Sequence, residues 1–389
     1  MQPRVLLALL LCASPSSALA QRSAWITRLG NDTVAVERAE RKGNRIIGRY
    51  VQTVPFTQII DFTLDLNAKG STSHYRLVAF DTSNTTPPTV RSTLDVSFAP
   101  NDIVAVLTRA GKTDTTHLPA TALPVPYMYN NWTLMEQLTR EMARDGRDSL
   151  SFAWYNTGGT ELQPAVARWV GKDSISVDFS PAVLMLRANR GDRSGKLLGA
   201  DGRRTTIKVL PERLADLDVN AVARKSIAFH RAESERARLL SPRDTARATI
   251  AGASLLVDYG RPARRGRQVW GGLVPYGIVW RTGANAATQF TTDRTLEFSG
   301  GAVVPPGTYT LWTIPTTDGA TLVINRQTRQ WGTLYDPARD LVRIPVQFGE
   351  NPGESLERFT ISIEPRDAAN GTISMAWDTR RIMAAFHVL

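Results

Sequence analysis

The sequence predicts a mainly β protein: an N-terminal antiparallel β-meander (a curved sheet or half-barrel with one packed helix), a helical linker, and a C-terminal antiparallel β-sandwich. Three observations carry this. Apolar and polar residues alternate with a period of two in both halves, as half-buried strands require. Short turns rich in Gly, Asn and Pro punctuate the alternating runs. A stretch without Gly or Pro, Asn220 to Leu240, separates the two β-rich halves.

Residues 1–20 read as an export signal. Arg4 gives a positive start, Val5 to Ala13 an apolar core, and Ala18-Leu19-Ala20 a small-x-small cleavage site. The apolar run is about nine residues, against the ~20 that a membrane-spanning helix needs. Cleavage after Ala20 starts the mature chain at Gln21, and no later stretch has the length of a membrane span, so an exported, soluble protein, periplasmic or released, is expected. Cys12 is the only cysteine and falls in the leader. It follows Leu9-Leu10-Leu11 rather than a small residue, which argues against lipidation. A mature chain without thiols excludes disulfides, thiolate metal sites and a cysteine nucleophile.

Residues 21–213 form the predicted meander domain. Ile60, Phe62, Leu64 and Leu66 face one way and Asp61, Thr63, Asp65 and Asn67 the other. Leu94, Val96 and Phe98 repeat the pattern, as do Ile175, Val177 and Phe179. Hairpin turns such as Lys42-Gly43-Asn44 and Ala110-Gly111-Lys112, with no crossover helices read between strands, predict antiparallel pairing. One helix interrupts the meander at about 133–146. Thr133-Leu134-Met135-Glu136 has the form of a capping box, Trp132, Met135, Leu138 and Met142 make an apolar stripe, and Gly146 stops it. Residues 214–244 are the predicted linker, a helix with Val222, Ile227, Phe229 and Leu239 loosely spaced, ending at Ser241-Pro242. Residues 245–389 return to alternation at Leu255-Val257-Tyr259, Phe359-Ile361-Ile363 and Ile373-Met375-Trp377.

Residues 245–389 also carry a string of motifs. These are Asp258-Tyr259-Gly260-Arg261-Pro262, Gly266-Arg267, Gly271 to Gly277, Trp280-Arg281-Thr282-Gly283-Ala284-Asn285, Pro306 to Leu311, Asn325-Arg326, Trp331-Gly332 and Ala376-Trp377-Asp378. In them the segment resembles a family of exported bacterial domains of unknown function, which implies an exported β domain and supplies no reaction. By pattern alone, the meander with one helix is similar to the half-barrel of bacterial lipoprotein carriers.

Basic residues exceed acidic ones by 11, and arginine supplies most of them. The charges are dispersed, with Arg264-Arg265-Gly266-Arg267 the densest run, so they read as a solvated, arginine-preferring surface and nucleic acid is not an expected partner. Nucleophile-elbow, zinc-protease, phosphate-loop and dinucleotide motifs are all missing. Gly191 to Lys196 has the wrong glycine spacing for a phosphate loop and reads as a polar turn. His74, His117, His230 and His387 are far apart, so neither metal nor cofactor is expected and no catalytic residue is assigned.

The candidate binding residues are Asp258, Tyr259, Arg261, Arg267, Trp270, Tyr276, Trp280, Arg281, Thr282 and Asn285. Asp258 stands out as an acid–base group, against a plain pairing with Arg261 or a turn cap at Gly260. The others fill a loop-rich stretch where Arg and Trp together can clamp an anion and stack on a planar or sugar face. The competing reading puts the Trp rings in the core and ties the Arg side chains to backbone carbonyls. Trp312, Trp331 and Trp377 read as core. The function expected first is non-enzymatic binding of a small-molecule or lipidic ligand in the envelope. The alternatives are a module docking on another envelope protein and a hydrolase of envelope polymers using two carboxylates roughly 5–10 Å apart.

Overall fold

A computed structural model describes residues 21–82, 88–120, 122–178, 183–203, 205, 208–232, 239–351 and 353–389. The leader with Cys12, the end of one predicted strand at Phe179 and part of the predicted linker lie outside the described residues.

The N-terminal strands are β1 (Gln21–Leu29), β2 (Asp32–Lys42), β3 (Arg45–Gln52), β4 (Gln58–Leu66), β5 (Thr72–Asp81), β6 (Thr89–Phe98), β7 (Asp102–Arg109) and β8 (Lys112–Pro119). After β9 (Leu123–Tyr127) and helix α1 (Trp132–Arg144) come β10 (Ser149–Asn156), β11 (Leu162–Trp169), β12 (Ser174–Asp178), β13 (Val183–Ala188), β14 (Leu197–Asp201) and β15 (Leu210–Leu214). They form one 15-stranded sheet in the order β8-β7-β6-β5-β4-β3-β2-β1-β15-β14-β13-β12-β11-β10-β9. The meander runs outward from β1 on one side and returns to it through β15 on the other. The alternation in β4 is realised: Ile60, Phe62, Leu64 and Leu66 are buried.

The pairing is antiparallel except between β9 and β10, which run parallel. That corrects the expectation of no crossover helix, because α1 is the crossover joining these two strands. β9 escapes a sequence reading because it carries Pro124 and Pro126. An edge strand tolerates them, and β9 is an edge.

The sheet curves around α1. Trp132, Met135, Leu138 and Met142 pack with Trp25, Phe152, Trp154 and Leu186, while Leu134 packs with Phe62, Leu64 and Tyr75 on the other flank. The helix begins differently from its predicted capping box. Asn131 is the N-cap, its Oδ1 accepting from Leu134 N at 3.0 Å. Trp132 N, Thr133 N and Thr133 Oγ1 instead donate to Glu37 Oε1 at 2.9, 2.8 and 3.1 Å. Glu136 turns away to Arg140 and Arg213. The C-terminus ends as expected at Gly146, with Gly146 N bonded to Ala143 O and Arg147 N to Met142 O.

Helix α2 (Val219–Ala232) lies on another face of the sheet, where Val219 and Ala223 pack on Val36, Val51 and Ile59. Phe229 stays exposed. The C-terminal strands are β16 (Arg243–Ile250), β17 (Ala253–Gly260), β18 (Thr288–Thr292), β19 (Leu296–Phe298), β20 (Ala302–Val304), β21 (Gly307–Pro315), β22 (Gly319–Asn325), β23 (Asp340–Glu350), β24 (Leu356–Pro365), β25 (Asn370–Asp378) and β26 (Arg380–Val388). These make a nearly closed 11-stranded sheet in which β26 pairs with β19, β23 and β25. Leu255, Val257, Phe290, Leu311, Phe359 and Met375 share its single main core.

The two sheets meet where the β1–β2 turn abuts the Arg265 turn. Asn31 N donates to Arg265 O at 3.0 Å, and Arg265 pairs with Asp32. Gly30 is required here twice over. Its φ is +63°, and a Cβ would sit 2.1 Å from Arg265 O.

Candidate functional site

Beside that contact lies a cavity of about 500 Å³, lined from both sheets. The N-terminal side contributes Leu29, Arg203 and Lys208, and the C-terminal side contributes Arg267, Trp280, Arg281, Asn285 and Tyr335 among others. Its lining holds four cations and no carboxylate among the described residues.

The loop from Trp280 to Asn285 is held by its own hydrogen bonds. Trp280 exchanges both backbone bonds with Thr313 at 2.8 Å, and its Nε1 donates to Gly283 O at 3.1 Å. Thr282 and Asn285 sit at φ +50° and +64°, a left-handed conformation that costs energy for a β-branched residue. The Thr282 hydroxyl meets that of Thr313 at 2.7 Å, and Thr288 Oγ1 donates to Thr282 O at 2.7 Å, holding the strained turn in place. Gly332 closes over it: a Cβ there would lie 2.2 Å from Arg281 Cδ.

Three half-buried cations face this cavity without a carboxylate partner among the described residues. Lys208 Nζ donates to Arg203 O at 3.0 Å. Arg267 gives Nε to Arg264 O and Nη2 to Ala263 O, both at 2.9 Å, and Arg281 Nη1 reaches Asn285 O at 3.3 Å. A carbonyl satisfies a donor but does not neutralise a charge. Burial, then the positive charge of Arg265, pushes the Arg267 guanidinium down to about 10. Burial lowers Arg281, and burial followed by repulsion from Arg281 and Arg267 lowers Lys208. The aromatic wall beside them is ordered: Trp280 stacks on Trp377 with centroids 6.1 Å apart, and Trp312 tilts against Tyr335 at 5.0 Å.

The structure brings four of the ten sequence candidates to the cavity: Arg267, Trp280, Arg281 and Asn285. Asp258 lies elsewhere, paired with Arg243 at 2.7 Å rather than with Arg261. Arg261 answers Asp244 at 3.2 Å. Tyr259 is core, its hydroxyl accepting from Ile361 N at 3.0 Å, and Trp270 is buried with Nε1 bonded to Trp377 O. Thr282 is fully buried and only positions the loop, while Tyr276 is exposed on the surface. Trp331, read as core, is 48% exposed because only its backbone joins the sheet, at Ala286. Arg203, Lys208 and Tyr335 are contributors absent from the sequence candidates, and nothing near Lys208 in the sequence signals it, since Arg267 and Arg281 lie 59 and 73 residues further on. Among the described residues no cluster of His, Cys, Asp or Glu is placed to hold a metal ion, and no helix is long and apolar enough to cross a membrane.

Residues 241–386 match a family described as Protein of unknown function (DUF2911), overlapping the segment whose motifs carry the resemblance. Among solved structures the chain is similar to a DUF1089 family protein from Pseudomonas aeruginosa. The identity is 13%, over 50% of this chain and 95% of that one, with a TM-score of 0.29. No curated protein matches the chain.

Proposed function

We propose that this is an exported two-domain binding protein, with domains 21–213 and 245–389 joined by the 214–244 linker, that holds a small anionic ligand with an apolar body in the cavity between its sheets. The observation that carries this reading is the convergence of Lys208, Arg267 and Arg281, half-buried and with no carboxylate partner among the described residues, on a cavity walled by Trp280, Trp312 and Tyr335. Unpaired cations in a low-dielectric cleft destabilise one another, and an anion offsets that cost. The aromatic wall adds apolar area, the mixture that ligand pockets use. Lys and Arg there can clamp a carboxylate or phosphate, whereas the cavity lining offers no carboxylate pair for hydrolysis.

The docking alternative also has a specific observation behind it. Ile278, in the cavity lining, is exposed, and so are Trp331 and Leu334, the chain neighbours of lining residues Gly332 and Thr333, apolar surface that fits a partner. Native mass spectrometry of the protein purified gently from its own host separates the two. Binding predicts a co-purifying anion of small mass that Arg281→Gln abolishes; a bound protein of fixed mass that survives Arg281→Gln and is lost on Trp331→Ser supports docking instead.

A further inference from the structure

A second cavity, of about 330 Å³, opens at the other end of β1. Its lining includes Arg22, Arg41, Glu136, Arg140, Lys196 and Arg213. Ser23 is at this end and Leu29 at the first cavity, so the two sites stand about 20 Å apart along the strand. The charge does not balance. Glu136, 4% exposed, is the one carboxylate in the lining, and two arginines already claim it. Arg140 Nε donates to Oε1 at 2.9 Å and Arg213 Nη1 to Oε2 at 2.5 Å. Arg213 is further fixed by Leu197 O at 2.8 Å and by stacking 5.0 Å over Trp25.

Arg22, at the rim, pairs loosely with Glu40 at 3.9 Å, which leaves Arg41 and Lys196 facing the same space. Arg41 is half-buried, bonds only its own turn at Gly43 O, and has no carboxylate partner among the described residues. Burial lowers its pKa, and so does the nearby Arg140. The rest of the lining is hydroxyl and amide, from Ser23, Thr133, Ser194, Gln21 and Gln137, with two small apolar faces from Ala39 and Ile46. This is a different surface from the aromatic cleft: no aromatic ring lines it, Ala39 and Ile46 are its apolar members, and polar side chains make up the remainder.

We propose that this cavity binds a small hydrophilic dianion of the phosphate monoester class, with Arg41 and Lys196 as its free charges and the Glu136-tethered Arg140 and Arg213 as its rigid floor. A guanidinium held by a carboxylate keeps donors directed outward, so the floor is preorganised and the two free cations supply the net charge.

The test is titration calorimetry of the purified protein with inorganic phosphate and with glucose 6-phosphate, using glucose as the uncharged control. The expected result is saturable binding of both phosphates and none of glucose. Affinity should weaken at least tenfold in Arg41→Gln and at least threefold in Lys196→Gln, with each variant melting like the parent, and should fall as salt rises. The binding that Arg41→Gln and Lys196→Gln weaken should persist in Arg281→Gln, whose own site is read out with an anion carrying an apolar body, so this proposal and the cleft reading fail separately. Absence of phosphate binding in the parent overturns the proposal, and so does binding that folded Arg41→Gln and Lys196→Gln proteins keep. Lys196 is exposed, so its variant remains informative if Arg41→Gln fails to fold.

Discussion

Arginines on either side of residue 265 sit in opposite settings. Arg243, Arg261 and Arg264 answer Asp258, Asp244 and Asp378 at 2.7, 3.2 and 2.7 Å, and these pairs stitch strand edges together. Among the described residues Arg267 and Arg281 bond only carbonyls, and they share with Lys208 a cavity that no described carboxylate lines. The residue type is the same and the sequence separation small, yet one group is neutralised within the fold and the other is satisfied by carbonyls alone among the described residues. What separates them is the partner, and partners are set by tertiary contacts. A basic composition therefore says little until each cation is matched to a carboxylate.

The largest effect that breaks this comparison comes from the sheet contact that shapes the cleft. Gly30→Val places a branched side chain at φ +63° against Arg265 O. The expected cost is about 3 kcal/mol or more, read as a lowered urea midpoint, with loss of any cleft ligand.

A second, pH-dependent effect sharpens it from the acidic side. Glu37 is the inverse of the cleft cations: a carboxyl with no cation partner among the described residues, fully buried at the start of α1, and burial raises its pKa to about 8. Its Oε1 accepts three bonds and its Oε2 has no partner, as suits a protonated carboxyl. The folded state thus holds this proton where the unfolded state releases it. Stability is greatest below the ordinary glutamate pKa and is lost as pH rises through about 8, by up to about 1.4 kcal/mol per pH unit. Glu37→Gln should remove that part of the slope in melting curves taken from pH 5 to 9.

The strands and α1 were legible because each buries one face, and a period of two or of 3.6 displays that face in one dimension. Ile60 to Leu66 and Trp132 to Met142 show this directly. The start of α1 was misread because its donors are met by Glu37, about a hundred residues earlier, rather than by the local Glu136. β9 was missed because its two prolines read as loop. At the cleft, the Arg267 to Asn285 half stood out as a dense run of Arg and aromatic residues. Lys208, a lone lysine facing it from the other sheet, leaves no trace in the sequence.

The most direct test is also the one with the smallest expected effect on stability. In Lys208→Gln/Arg281→Gln, two cations that stabilise no carboxylate are removed. Calorimetry should find stability unchanged within about 0.5 kcal/mol, or raised, while titration with laurate should show at least a tenfold loss of affinity relative to the parent. A double variant that melts well below the parent, yet binds laurate as the parent does, would contradict the account and make these cations part of the scaffold.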